Sequence, residues 1–310
     1  MSLIETLAKL RRTNVTKTTH REPYAAISPT RPGLSQAGKV ILITGGGTGA
    51  GFAMAQAFIR ASASTIIITS RRGNVLDAAR SRLEQEANLV GGGTKIVAIT
   101  CDVVNQTEVD ALWKELDEQG IAVDVYIANA AKFTEVKPIL ELGAEEVWSQ
   151  VETNMKSPLY FTERFYKQAS GKQKFILNIS TASIHSTTEP EVKIRPAYTL
   201  SKLSGTLLFQ LLAQDHPHEE MQIISFHPGL IYNDYWKSLD LKPEDFDSEE
   251  LTGAFAVWAA SKEAAFLHGR FVWCSWDVEE LATGEIRKRL DEDFYYLRTS
   301  IVGLRGGFVA

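Results

Sequence analysis

The feature that most constrains this chain is an alternation of two hydrophobic periods. KVILIT (39–44), STIIITS (64–70), KIVAITC (95–101), VDVYIANA (123–130), KFILNIS (174–180), MQIISFHP (221–228) and GRFVWCSW (269–276) are short apolar runs that each read as a buried strand. Between them lie AGFAMAQAFIRAS, NVLDAARSRLEQEA, QTEVDALWKELDEQ and LSKLSGTLLFQLLAQ, whose apolar residues recur at the three- and four-residue intervals of amphipathic helices. Parallel strands need long crossovers, and right-handed helical ones cover both faces of the sheet. The alternation therefore predicts an α/β fold, a doubly wound parallel sheet of about seven strands. No break in composition separates the strands, so residues 38–310 are expected to form one domain. Residues 1–37 read as an appended arm, with one short helix near SLIETLAKLRR.

Bulk properties exclude several classes. A net charge of −5 and a pI near 5.8, without an arginine-rich block, leave no field for nucleic acid. Cys101 and Cys274 lie far apart with no ligand spacing, so they read as small buried residues. The six histidines, at 20, 185, 216, 218, 227 and 268, show no metal-binding arrangement. No export signal is read in the polar N-terminus, and no run approaches the ~18 apolar residues of a spanning helix, so a cytoplasmic protein is expected. The glycosylation-type sequons at Asn14 and Asn178 are then chance matches.

The first strand runs straight into TGGGTGAG (44–51) and then a helix. Glycines there allow a tight turn and bring backbone N–H groups close to a pyrophosphate, which a helix N-terminus also favours. Gly45, Gly49 and Gly51 carry this reading, with Gly47 and Thr48 completing the turn, and a P-loop lysine is absent. The second strand ends in TSRR, so Ser70, Arg71 and Arg72 stand where an acidic residue would favour a free ribose hydroxyl. Guanidinium groups suit a 2′-phosphate instead, and NADP(H) is the expected cofactor. GGG at 91–93 reads as a flexible connection.

In RPAYTLSK (195–202), Tyr198 precedes Lys202 by one helical turn, so the two side chains share a face. Taken with the glycine turn and Asn129-Ala130-Ala131, this pair makes the chain resemble the short-chain dehydrogenase/reductase family across roughly residues 38–280. The resemblance implies a single Rossmann-type domain and hydride transfer between a nicotinamide and a carbonyl or alcohol. It implies further that Asp102, in CDV with Val103, holds the adenine amino group. Ala131 stands where the family usually has glycine. Asn154 matches the asparagine that kinks a helix and anchors a relay water, and Tyr198 with Lys202 matches the YxxxK pair. The family's catalytic hydroxyl falls at ISTAS, where Thr181 aligns first, Ser180 second and Ser183 third. The interval from Thr181 to Tyr198 is longer than the family's, so an insertion within SIHSTTEPEVKIRP is expected to extend the pocket rim. In HPGLIYND, Pro228 and Gly229 match the segment that covers the nicotinamide. Ile231 sits where a backbone amide binds the carboxamide, and Asn233 replaces the common threonine. The last strand is similar to fungal members associated with secondary metabolism.

These residues define an expected chemistry. A phenol titrates near pH 10, and an adjacent ammonium, helped by the oxidised nicotinamide, favours the phenolate. A fall of ~3 pH units corresponds to roughly 4 kcal/mol and would make Tyr198 a general acid and base near neutrality. Segment 232–250, acidic and aromatic, reads as a substrate lid or a solvated excursion, with Tyr235 and Trp236 offering aromatic faces to a bulky substrate. His185, beside the loop of the expected catalytic hydroxyl, reads first as a plain loop histidine and second as a substrate contact. The leading expectation is reduction of a ketone or aldehyde of a small to medium molecule, or the reverse oxidation. The alternatives are an isomerase or cyclase on the same fold, and an NADPH-binding sensor without turnover. Family members associate as dimers or tetramers through two long helices, which would span roughly 144–169 and 197–215.

Overall fold

The computed structural model describes residues 15–169 and 171–301. Seven strands form one parallel sheet: β1 Val40–Thr44, β2 Thr65–Ser70, β3 Lys95–Thr100, β4 Val125–Ala128, β5 Lys174–Ile179, β6 Met221–His227 and β7 Phe271–Trp273, in the order β3-β2-β1-β4-β5-β6-β7. The first strand thus has β2 on one side and β4 on the other. This reversal opens a crevice at the carboxyl ends of β1 and β4, where such sheets bind ligands.

The sheet is buried on both faces because alternate side chains serve different layers. Ile41 and Ile43 join a core with Phe58, Phe255 and Trp258, whereas Leu42 joins Trp113, Tyr126, Phe161 and Phe165 on the other side. Helices α1 Gly49–Arg60, α2 Gly73–Val90 and α3 Gln106–Glu118 follow the first three strands. Asn105 caps α3 by accepting from Thr107 N and Glu108 N, and Glu108 in turn accepts from Asp102 N at 2.7 Å, which fixes the loop after β3. Helix α4 (Ala144–Val151) passes through a π-helical turn at Glu152–Lys156 into α5 (Ser157–Lys167). Helix α6 (Pro196–Asp215) precedes β6, and α7 (Glu249–Ala259) packs across α1.

One expected boundary changes. The seventh strand ends at Trp273 because the chain turns there: the Trp276 ring stacks on Trp273 at 6.0 Å, and Ser275 O accepts from His20 N. Residues 15–37 of the appended arm wrap onto the domain and bury Ile27 and Leu34 completely in its core. The helix expected near residues 2–12 lies outside the described residues. Cys101 and Cys274 are both buried free thiols. No helix among the described residues is long and apolar enough to cross a membrane.

Candidate active site

A cleft of about 320 Å³ lies at the carboxyl ends of β1, β2 and β4. It brings together Gly45, Gly47, Thr48, Gly51, Ser70, Arg71, Arg72, Asp102, Val103, Asn129, Ala130 and Ala131. The turn is set by close approach: a Cβ on Gly51 would stand 2.4 Å from Gly45 O and 2.6 Å from Asn129 Nδ2. Gly45 itself has φ +69°. Asn129 braces this turn, with Nδ2 donating to Thr44 O at 2.9 Å and Gly45 O at 3.2 Å, while Thr44 Oγ1 accepts from Asn129 N and Ala130 N. Its amide therefore works on the loop that would hold a cofactor. The first N–H groups of α1 have no intrahelical partner, and Thr48 makes no side-chain cap, so this end can take an anion. Arg71 and Arg72 are exposed at the cleft edge. The donor set fits a dinucleotide: open helix N–H groups at one point and two guanidinium groups at another. Gly49, φ +54°, does not line the cleft, and the Glu249 carboxylate approaches it instead.

A second cavity, of about 200 Å³, is lined by Phe133, Ser183, Val192, Arg195, Tyr198, Thr199, Asn233 and Trp236. Val192 and Arg195, which lie in the stretch where an insertion was expected, line this cavity. Tyr198 and Lys202 lie on α6, and the buried Lys202 Nζ donates to Ile179 O at 2.8 Å. Loss of solvent pushes this amine down to about 8. Of the three candidate hydroxyls, Thr181 hydrogen-bonds the Tyr198 side chain. Ser180 Oγ is instead paired with Thr206 Oγ1 at 2.6 Å in the interior, and Ser183 lines the cavity.

The expected acidification of Tyr198 is not built into the protein chain alone. Burial pushes the phenol up to about 12, opposed by the Thr181 hydrogen bond and by the charge of Arg195. The ammonium of Lys202 is engaged at Ile179, and the cation acting on the phenol is one that the sequence reading passed over. Arg195 precedes Tyr198 by three residues and also lies 5.8 Å from the Phe133 ring, which meets Tyr198 edge-on at 6.0 Å.

Asn154 is buried in the π-helical turn. Its Nδ2 donates to Lys132 O at 2.7 Å and Ser201 Oγ at 2.9 Å, and its Oδ1 accepts from Lys132 N at 2.8 Å. A Cβ on Gly205 would meet Asn154 O at 2.5 Å, so glycine lets α6 approach the kink. The remaining predicted residues lie on the segment after β6. Pro228 O accepts from Thr252 Oγ1 at 2.5 Å, Ile231 bridges to Asp247, and Asn233 Oδ1 accepts from Trp236 N at 3.3 Å. Trp236 and Tyr232 both pack on Phe246. The Tyr235 side chain lies outside the described residues. His185 turns away from the cavity lining: its Nε2 accepts from Trp273 Nε1 at 3.3 Å, and burial lowers its pKa.

The short chain dehydrogenase family model matches residues 39–244. This chain belongs to that family. A short chain dehydrogenase/reductase named nsrO, from Aspergillus novofumigatus, is 32% identical, the match covering 93% of this chain and 96% of the relative. AacuD of Aspergillus aculeatus, described in the same words, is 28% identical with the same coverage. Among solved structures, L-sorbose reductase from Gluconobacter frateurii, complexed with NADPH and L-sorbose, is 18% identical with a TM-score of 0.68, covering 78% of this chain and 96% of that one. A short chain dehydrogenase from Pseudomonas syringae gives a TM-score of 0.70 at 18% identity, covering 82% of this chain and all of its own. The fungal likeness of the last strand agrees with the origin of the curated relatives. Two residues within the family match escaped the sequence reading. Lys132, next after the NAA triplet, lines the cleft and holds Glu146 and Ser149 with its amine, and Phe133 follows it into the second cavity. Their position directly after a recognised motif was the available signal.

Proposed function

We propose that this short-chain dehydrogenase is an NADPH-dependent reductase of a ketone or aldehyde, Tyr198 supplying the proton. One observation carries the reading: the phenol of Tyr198 is hydrogen-bonded to Thr181 and lines a cavity of its own, with Lys202 buried one turn along the same helix. Arg71 and Arg72 would hold the 2′-phosphate of NADPH, and Ser70 brings no negative charge against it. The glycine turn and the N-terminus of α1 would hold the pyrophosphate. When bound, the cofactor supplies the hydride. Tyr198 O–H donates to the carbonyl oxygen as charge develops there, and Thr181 Oγ1 steadies both oxygens. Lys202 holds the nicotinamide ribose, and Asn154 positions α6 through Ser201.

The second cavity favours a flat, apolar substrate. Phe133, Tyr198 and Trp236 present rings, Arg195 a cation, and among the described residues no carboxylate side chain lines the cavity. A cytoplasmic setting, where NADPH is kept reduced, suits the direction of reduction. Exposed Leu159 and Tyr166 on α5 with Leu200, Leu207 and Leu211 on α6 offer apolar faces through which two copies would associate. An isomerase or a silent sensor would leave the Tyr198, Thr181 and Lys202 set without a task. The test is oxidation of NADPH, followed at its reduced absorption band, against a panel of aryl and alkyl ketones. Tyr198→Phe should lose turnover by about 10³-fold and keep NADPH binding. Turnover surviving in that variant would remove the phenol as the proton donor.

A further inference from the structure

We propose that Arg21 is a positioning residue for the cofactor, holding the backbone at Gly229–Ile231 in place through Asp247; the inference rests on the NADPH reading above. Both Arg21 and Asp247 lie outside residues 39–244, the stretch that the family model matches.

Its geometry is continuous. On the N-terminal side, Lys17 N and Thr18 N donate to the Glu280 carboxylate at 2.7 and 3.0 Å, and His20 Nε2 meets Asp277 at 2.8 Å. His20 stacks on Tyr24 with ring centroids 3.5 Å apart, and Tyr24 OH accepts from Val278 N at 2.8 Å. Arg21 is thereby held between two anchors. From there its guanidinium donates to Glu244 O at 2.6 Å and to Phe246 O, and its Nε lies 3.6 Å from Asp247 Oδ1. Its own carbonyl accepts from Ser248 N at 2.9 Å.

Asp247 relays this grip to the cofactor side. Its side chain is only 6% exposed, and Oδ2 accepts from Leu230 N at 2.7 Å while Asp247 N donates to Leu230 O at 2.9 Å. The same oxygen lies 3.0 Å from where a Gly229 Cβ would stand, so the carboxylate packs directly on the turn, φ +91°, that leads into Ile231. Arg21 Nη2 grips the carbonyls of Glu244 and Phe246 just before Asp247, and its Nε charge stands 3.6 Å from Oδ1, so the guanidinium restricts the orientations the buried carboxylate can adopt. The amides after Pro228 are then presented in one orientation before the cofactor arrives, and preorganisation of this kind raises affinity.

The experiment uses the full-length chain, wild type and variants Arg21→Met, Arg21→Lys and Glu280→Ala, the last cutting the strap's far anchor without touching Asp247. Three quantities are read: hydrogen exchange at Leu230 in the free protein, the Kd for NADPH by fluorescence titration, and Tm. Arg21→Met should speed Leu230 exchange and weaken NADPH, each by about tenfold. Arg21→Lys should recover part of both, because the charge beside Asp247 remains but the paired grip on the Glu244 and Phe246 carbonyls is lost. Glu280→Ala should lower Tm with little change in Kd. Equal losses of affinity in Glu280→Ala and Arg21→Met would show that the strap merely supports the fold, and would overturn the proposal. Unchanged Leu230 exchange in Arg21→Met, with wild-type NADPH binding intact, would overturn it alone. A wild-type chain that takes no NADPH would overturn the functional reading and the cofactor link together.

Discussion

The two halves of the site are built on different principles. The cofactor cleft is made of backbone: a glycine turn, a helix end and the Asn129 brace, all within one run from β1 to β4. The substrate side is made of side chains from separate pieces of chain: Phe133 after β4, Ser183, Val192 and Arg195 between β5 and α6, Tyr198 and Thr199 on α6, and Asn233 and Trp236 after β6. A site of the first kind tolerates almost no change in shape, because its atoms are already at contact distance. A site of the second kind can be rebuilt one side chain at a time without disturbing the sheet. Binding one common cofactor and many different substrates calls for that division.

The sharpest way to break the comparison is at Gly51. A methyl there would sit 2.4 Å from Gly45 O, in a turn with no free volume, so Gly51→Ala should cost about 3 kcal/mol of stability and more than 100-fold in NADPH affinity. Denaturant unfolding and fluorescence titration check it. A wild-type Kd would show that the turn is as plastic as the rim. The second test separates shape from charge within the cleft. Arg71→Gln should raise the Kd for NADPH by about 30-fold while changing that for NADH by less than about threefold, because only the former carries a 2′-phosphate. Equal effects would reduce Arg71 to a solvated strand end.

Much of the first half was legible from sequence because its determinants are local. Strand runs, the glycine spacing and Tyr198–Lys202 each declare themselves within eight residues, and the seven strands do form one parallel sheet. Of the second half, Ser183, Tyr198, Asn233 and Trp236 were named from sequence, and contacts elsewhere in the fold were missed because their partners lie far apart along the chain. Arg21 meets Glu244 across 223 positions, and Trp273 meets His185 across 88, with no periodic pattern to signal either. What acts on the Tyr198 phenol in the chain without cofactor was hidden for a related reason. Helical spacing shows that Lys202 shares its face, but whether the amine reaches the phenol or the Ile179 carbonyl depends on the depth at which α6 meets β5. Ser180 and Thr181, adjacent in sequence, were separated only by which of them points inward.

The buried amine of Lys202 gives a test by pH. Its pKa falls from 10.5 to about 8 on folding, so between those values the unfolded chain binds more protons than the folded one. Stability from this group is therefore present above pH 10.5 and lost as pH falls toward 8. In denaturant unfolding of the free chain, wild type should gain about 2 kcal/mol relative to Lys202→Met between pH 8 and pH 10. A difference that stays flat over that interval would place the amine in water. In the working enzyme, kcat/KM for reduction should decline above about pH 8 as the cation is lost, with Lys202→Arg moving the decline upward.

The smallest expected effect lies on the rim. Trp236 contributes one wall of the second cavity and rests on Phe246 with ring centroids 5.5 Å apart. Trp236→Ala should raise KM for an aryl ketone by about fivefold, roughly 1 kcal/mol of ring contact, with NADPH affinity unchanged. Trp236→Phe should restore most of that loss, since a ring remains to face the substrate. An equal fall in kcat for both variants, at constant KM, would mean that the segment acts on the cofactor and not on substrate. The two halves of the site would then not be separable at this residue, and the division between a fixed cleft and an adjustable rim would have to be drawn beyond Trp236.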